Sequence, residues 1–308
     1  MRASAMEENN ALVPQKRRFW QHSERQIVPP KPVKSNVDTG MLKIFACLLM
    51  LCDHMGKMIF PDAYVLTFTG EVLSYLPRLN ILRVIGRLAM PMFAYGIAVG
   101  CNYTHNIWKY AFRLLLMGIL VHPLYQEAMG HVALGKFTWN GILPLDIYRY
   151  YFQGKNLNIL FTLGLGTLII GGYRHRRYML MCFAILLTVA LHSRIDYGYE
   201  GVFLIILFYA FLDRPLVSFV AVLLFFINWC MPRLITDYAF VLTKQGTSYA
   251  LKFNETAFKR ISSEIYALPS LLLIYLPIRK RYVKLPKRIF YFFYPAHLLL
   301  IYMLLLKG

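Results

Sequence analysis

Charge is what this sequence has little of. Acidic and basic residues together make up 16% of 308 positions, against roughly 25% in a soluble domain. Acids are scarcer still, 15 against 34 lysines and arginines. With 58% hydrophobic residues, this composition excludes an ordinary soluble domain and points to a polytopic membrane protein. Cysteine is sparse too: Cys47, Cys52, Cys101, Cys182 and Cys230 all lie in apolar runs and form no CxxC. That argues against a disulfide framework or a zinc site and leaves them as small apolar packers, so no metal is expected. A cleavable secretory signal is not expected either, because the first apolar run follows forty polar residues and lacks a small-residue cleavage site. No soluble coenzyme A motif is present. No pair of Gly/Pro-broken spans repeats in the two halves, which counts against an inverted-repeat transporter.

What is abundant is positive charge, +19 net. Its distribution decides its meaning. The basic residues gather between apolar runs, as Arg174, Arg176, Arg177 and then Arg279, Lys280, Arg281, Lys284, Lys287, Arg288. That is the pattern of cytoplasmic loops under the positive-inside bias, and it makes a nucleic-acid partner unnecessary.

The apolar runs predict an all-α transmembrane bundle of about nine spans. Residues 1–40, with Glu7, Glu8, Lys16, Arg17, Arg18 and Pro29-Pro30-Lys31-Pro32, read as a disordered cytoplasmic tail. Residues 41–308 form the membrane domain. Its runs are Met41 to Phe60, Ile81 to Cys101, Trp108 to Tyr125, Leu157 to Tyr173, Tyr178 to His192, Tyr199 to Leu212, Pro215 to Ile235, Ile265 to Ile278 and Ile289 to Leu306. Three fall below the roughly 17 residues of a straight crossing. The runs at Tyr178 and Tyr199 are either two spans or one re-entrant hairpin. Placing the most basic loops in the cytoplasm puts the N-terminus inside and the C-terminus outside.

The first run carries Asp53 beside His54 in its outer half. An acid there costs roughly 2.5–3.5 kcal/mol on insertion scales, so such residues are rare unless used. Neighbours i and i+1 on a helix do not face each other, so partners must come from other spans. Arg87 on the second span lies at similar depth and would offset Asp53; structural glue is the plain reading of that pair. His297 sits midway along the last span, two residues after Pro295. Proline is tolerated within a span where the helix packs closely or lines a cavity. Two histidines, an acid and an arginine near one depth make a polar centre, and histidine exchanges protons near neutral pH. Asn158 opens the fourth run; Asp196, Tyr197 and Glu200 mark the beginning of the sixth, where a solvated loop edge is the plain reading of Asp196 and Glu200. His122, before Pro123, reads as a core residue.

Three segments together are specific. LKIFACLLMLCDH in the first span, Ile85-Gly86-Arg87-Leu88-Ala89-Met90-Pro91-Met92-Phe93-Ala94 and the ending Phe293-Tyr294-Pro295-Ala296-His297 resemble the TraX family. Supporting matches are Lys109-Tyr110 with Arg113-Leu114-Leu115, Leu157-Asn158-Ile159-Leu160-Phe161, and Asp196-Tyr197-Gly198 with Gly201. They occur in the family's order from about Leu42 to the end. The polar loop from Thr236 to Glu264 is longer than is usual there.

The resemblance implies a multi-pass protein of the bacterial inner membrane. It implies an acyltransferase similar to membrane-embedded enzymes that use acetyl-CoA and place an essential histidine within the bilayer. The family takes its name from a protein that acetylates the N-terminus of a conjugative pilin. By that likeness His54 is either the general base or a transient acyl carrier. Arg87, held by Asp53, would stabilise the thioester oxyanion. His297 joins the catalytic group, with Asn158, Asp196, Tyr197 and Tyr294 binding the acceptor or supporting it. Arg174, Arg176, Arg177, Arg279, Lys280 and Arg281 would receive the phosphates of coenzyme A, although the positive-inside bias already accounts for them. The acceptor stays open between a pilin-like protein and a cell-surface glycan. A proton-coupled transporter, or a scaffold of a conjugation or secretion complex, is the reading from a different class. Oligomeric state is not legible.

Overall fold

The computed structural model describes residues 28–34, 39–62, 65, 79–130, 156–230, 262–276 and 288–307. Among them the regular elements are all helical. They are α1 (Thr39–Met58), α2 (Ile81–Gly86), α3 (Ala89–Tyr103), α4 (Ile107–Ala128), α5 (Ile159–Arg174), α6 (Tyr178–Ala190), α7 (Gly198–Ala210), α8 (Pro215–Cys230), a 3-10 turn (Ser263–Ala267), α9 (Ser270–Tyr275) and α10 (Arg288–Leu305). Three helical stretches are long and apolar enough to cross a membrane: Thr39–Met58, Ile81–Tyr103 and Ile107–Ala128. The remaining apolar helices are shorter, including α6 and α7 at 13 residues each.

The second apolar run is not one smooth helix. It breaks at Arg87 and Leu88, between α2 and α3. Pro91 explains the break, since it has no N–H to donate to the Arg87 carbonyl four residues back and its ring crowds that carbonyl. Arg87 is thereby set at a bend instead of on a straight helical face.

Asparagines fix the other starts. Asn80 caps α2 by accepting from the Arg83 amide at 3.0 Å, and its own amide donates to the Gly56 carbonyl at 2.9 Å, tying the end of α1 to the start of α2. Asn106 caps α4 and Asn158 caps α5 in the same way. Each satisfies an amide that the first turn leaves without a partner.

The helix pair α2/α3 is the centre of the bundle. In its most apolar stretch Ile81–Tyr103 has about two thirds of its residues buried, against under a third for α1 and a third for α4. Around α3 pack α1, α5, α7 and α9, while α10 lies against α1 and α4. Tyr95 of α3 meets Phe208 of α7 edge to face at 5.6 Å. The outward faces are apolar: Phe112 and Leu120 on α4, Met179 and Leu186 on α6, Leu216 on α8 and Phe292 on α10 are all exposed. That much uncovered apolar surface suits contact with lipid or protein better than water. All five thiols are free, with Cys47, Cys101 and Cys230 buried.

Residues 28–34 differ from the expected disordered tail, because this stretch is docked. Asn102 receives the Lys31 amide and donates to the Lys31 carbonyl, both at 2.9 Å. The Lys31 ammonium donates to the Ala210 carbonyl at 2.5 Å, at the C-terminus of α7. A cation there satisfies a free carbonyl and suits the negative end of the helix dipole. Prolines 29, 30 and 32 limit the entropy lost on docking. Asn102→Leu would strand the Lys31 amide and carbonyl, so limited proteolysis is expected to cut the N-terminal segment several-fold faster than in the unsubstituted chain.

Candidate functional site

The N-terminal ends of α3, α5 and α7 converge at one end of the bundle, and the docked Val28–Lys34 segment touches the C-terminal ends of the same three helices. The two ends are about 24 Å apart along the sixteen residues of α5 at 1.5 Å each. A narrow pocket lies at the converging end, lined by Asp53 and His54 of α1, Ala89, Met90 and Phe93 of α3, Tyr125 of α4, Ile159 of α5, Asp196 and Tyr197 before α7, and Tyr294 of α10. Three helix N-termini aimed at one cavity favour negative charge there.

His54 is oriented by His297. Its Nδ1 lies 3.1 Å from His297 Nε2, while His297 Nδ1 lies 3.0 Å from the Phe293 carbonyl. A carbonyl only accepts, so His297 Nδ1 must carry a proton and donate it. In the neutral pair His297 Nε2 is then an acceptor, and His54 Nδ1 donates to it. The His54 Nε2 lone pair is left free, which is the arrangement a general base needs. His297, 3% exposed, has the His54 and Phe293 rings near parallel to its own, with centroids at 5.2 and 5.1 Å. The sequence places the two histidines near one depth; the structure brings them into contact.

Asp53 and Arg87 also meet, less closely than Arg87 meets a residue that sequence reasoning missed. Arg87 Nε is 3.7 Å from Asp53 Oδ1, whereas Arg87 Nη1 donates to Glu264 Oε1 at 2.8 Å. All three side chains are nearly buried, at 12–16% exposure. The sequence signalled a further acid, though not which one. Two arginines, Arg83 and Arg87, on one apolar run against the single acid Asp53 leave a positive charge to be offset. Arg87 is absent from the pocket wall. Its guanidinium is engaged by Glu264, so the expected oxyanion role gives way to holding Asp53 and the 3-10 turn together.

Gly86 makes the Asp53 contact possible. A methyl group at Gly86 would lie 2.6 Å from the Asp53 Cα and 2.7 Å from its amide nitrogen. No rotamer change relieves a clash with backbone. Gly86→Ala is therefore expected to push α2 off α1 and lower stability by about 1–3 kcal/mol, read as a drop in thermal midpoint in detergent; an unchanged midpoint would contradict this contact.

The turn before α7 departs from the plain expectation of a solvated edge. Asp196 reaches the pocket, its amide bound to the Leu157 carbonyl at 3.0 Å and its carbonyl accepting from Thr162 Oγ1 at 2.5 Å. In this turn, outside the helices, burial pushes the Asp196 carboxyl up to about 7. Tyr197 sits in the left-handed region at φ 62, costly for an aromatic residue and a form of strain that collects at functional sites.

Other expected positions fall elsewhere. Asn158 is wholly buried, its oxygen capping α5 and its amide donating to the Gly118 carbonyl at 2.8 Å. It is therefore a structural cap, buried away from the surface. Arg174, expected to meet coenzyme A phosphates, is 6% exposed and donates to the Cys101 carbonyl. A guanidinium spent on backbone inside the bundle is not a surface phosphate receptor. Arg176 and Arg177 are exposed, with Arg177 over the Trp108 ring at 5.5 Å. Arg279, Lys280 and Arg281 lie outside the described residues. His122 is buried, as a core residue should be. Among the described residues no cluster of three or more metal-ligating side chains occurs.

Comparison with known proteins agrees with the motifs. The chain is 28% identical over 137 residues to a probable fimbrial assembly protein, FimC of serogroup H1, from Dichelobacter nodosus, covering 44% of this chain and 47% of that protein. It is 25% identical over 158 residues to the uncharacterized protein RP591 of Rickettsia prowazekii (strain Madrid E), covering 51% and 49%. The chain thus spans about half the length of these curated relatives. No solved structure matches it. The family model described as "TraX protein" matches residues 38–305, which takes in every helix described above, and the chain belongs to the TraX family.

Proposed function

We propose that this protein is an integral membrane acyltransferase. It moves an acetyl group from acetyl-CoA to an acceptor on the opposite side of the bacterial inner membrane, the acceptor being the N-terminal amine of a pilin-like subunit. The observation that carries this reading is the His54–His297 pair, which leaves one imidazole lone pair free at a buried pocket. Family membership supports it, since the family takes its name from a pilin-acetylating protein. The printed name of the Dichelobacter relative supports the pilus side of the reading.

In this scheme the acceptor amine enters the pocket and gives a proton to His54 Nε2 as its nitrogen attacks the thioester carbonyl carbon. The tetrahedral intermediate collapses with cleavage of the C–S bond, and the thiolate recovers the proton from His54. His297 steadies the imidazolium through Nε2, while the converging helix N-termini favour the transient oxyanion. Arg176 and Arg177, at the far corner between α5 and α6, are the described residues left to meet the phosphates. The bundle length then sets the distance that an extended pantetheine arm has to cover.

The test is intact-mass analysis of candidate acceptors from cells with and without the protein, alongside inverted membrane vesicles given labelled acetyl-CoA. An added acetyl group on the N-terminus of a pilin-like protein is the expected result. Label on a polysaccharide would move the acceptor to a glycan hydroxyl. An unchanged mass for every acceptor, together with altered proton-coupled uptake, would overturn the enzyme reading in favour of a transporter.

A further inference from the structure

Tyr294 is 5% exposed, yet its hydroxyl oxygen has no hydrogen-bond partner. A buried hydroxyl left unsatisfied costs about 1–3 kcal/mol, and such a group calls for an explanation. Its side chain lines the same pocket as His54 and Asp196. It also stands one helical turn before His297, its ring edge-on to that imidazole at 5.4 Å and 68°. Residues three apart share a helix face, so the hydroxyl and the histidine pair are held in one fixed relation.

Among the polar side chains lining the pocket, His54, Asp53 and Asp196 offer acceptors, and the hydroxyls of Tyr125, Tyr197 and Tyr294 offer donors. An acceptor amine finds partners there readily. A thioester carbonyl needs a donor: the Arg87 guanidinium is bound to Glu264 outside the pocket wall, and of the three lining hydroxyls that of Tyr294 is the one buried without a hydrogen-bond partner.

We propose that the Tyr294 hydroxyl is the donor that stabilises the oxygen of the tetrahedral intermediate, an assignment that rests on the acyltransfer reading above. As the acceptor nitrogen bonds to the carbonyl carbon, the electron pair of the C=O π bond moves to oxygen, and the Tyr294 O–H donates a hydrogen bond to it. The pair returns when the C–S bond breaks. The tyrosine keeps its proton throughout.

The experiment uses the full chain in lipid nanodiscs with acetyl-CoA carrying 13C at the carbonyl, and reads two quantities. One is the infrared frequency of the bound carbonyl. The other is release of the coenzyme A thiol, which reports transfer to any acceptor or to water. In the unsubstituted protein the carbonyl band should sit below its free value. Tyr294→Phe should return it towards the free value and lower kcat on the order of 10²-fold with KM little changed. Tyr302→Phe, two turns further along α10 and absent from the pocket wall, should alter neither. If the unsubstituted protein binds and turns over acetyl-CoA while Tyr294→Phe keeps both the band and the rate, the donor assignment falls and the acyltransfer reading stands. If the unsubstituted protein shows neither binding nor thiol release, both fall together.

Discussion

Replacing His54 by alanine is expected to lower acyl transfer by roughly 10³–10⁴, with the protein still accumulating in the membrane. The size follows from the tautomer. His297 Nδ1 is committed to the Phe293 carbonyl, so His54 Nδ1 donates to His297 and Nε2 is the basic atom of the pair. Asp53 and Asp196 also line the pocket, but neither contacts His297, and Asp53 is paired with Arg87, so neither takes over the Nε2 position of the histidine pair. His297→Leu should cost less, on the order of 10–10², because it removes the orienting partner and frees the His54 tautomer without removing the base. Intact-mass analysis of the acceptor, with a blot for the membrane protein, checks both. Equal activity in His54→Ala and the unsubstituted chain would end the general-base assignment. An acyl adduct trapped on His54 in slow variants would instead favour a covalent intermediate over direct proton abstraction.

Much of this site could be read from the sequence, because charged groups inside apolar runs stand out against their background. Asp53, His54, Arg87 and His297 were visible for that reason, and the family motifs added Tyr197 and Tyr294. Depth was legible through helix direction, and it brought Asp53 to Arg87. What stayed hidden was of two physical kinds. Glu264 lies at the boundary of a polar loop, where an acid is unremarkable until its neighbours in space are known. The meeting of His54 with His297 across 243 residues, and the docking of Val28–Lys34, depend on how helices are arranged around α3, which periodicity does not encode. The arginine cluster misled for the opposite reason. Arg174 carries the sequence signature of a surface cation, yet its guanidinium is used to satisfy the Cys101 carbonyl inside the bundle.

Arg87→Met is expected to be the most destabilising of the single changes considered, by about 3–5 kcal/mol. It removes the cation in contact with the nearly buried Asp53 and Glu264, leaving them only the more distant Arg83 and Lys57. The cost of such a change lies in the orphaned charges more than in the lost attraction, so removing one of them should recover part of the loss. Arg87→Met with Glu264→Gln is therefore expected to be more stable than Arg87→Met alone, with a coupling of about 1–3 kcal/mol between the sites. Exchanging the helix partners, Asp53→Arg with Arg87→Asp, should not restore the fold, because the Arg87→Asp carboxylate would face Glu264 directly. Thermal unfolding in detergent across the four members of the cycle measures the coupling. Strict additivity would mean that the 2.8 Å contact carries no energy of its own and that Arg87 is held by Asp53 alone. A measured coupling would tie the α2–α3 break, the 3-10 turn and the Asp53 face of α1 into one unit, which is what keeps the wall of the pocket in place while His54 works from it.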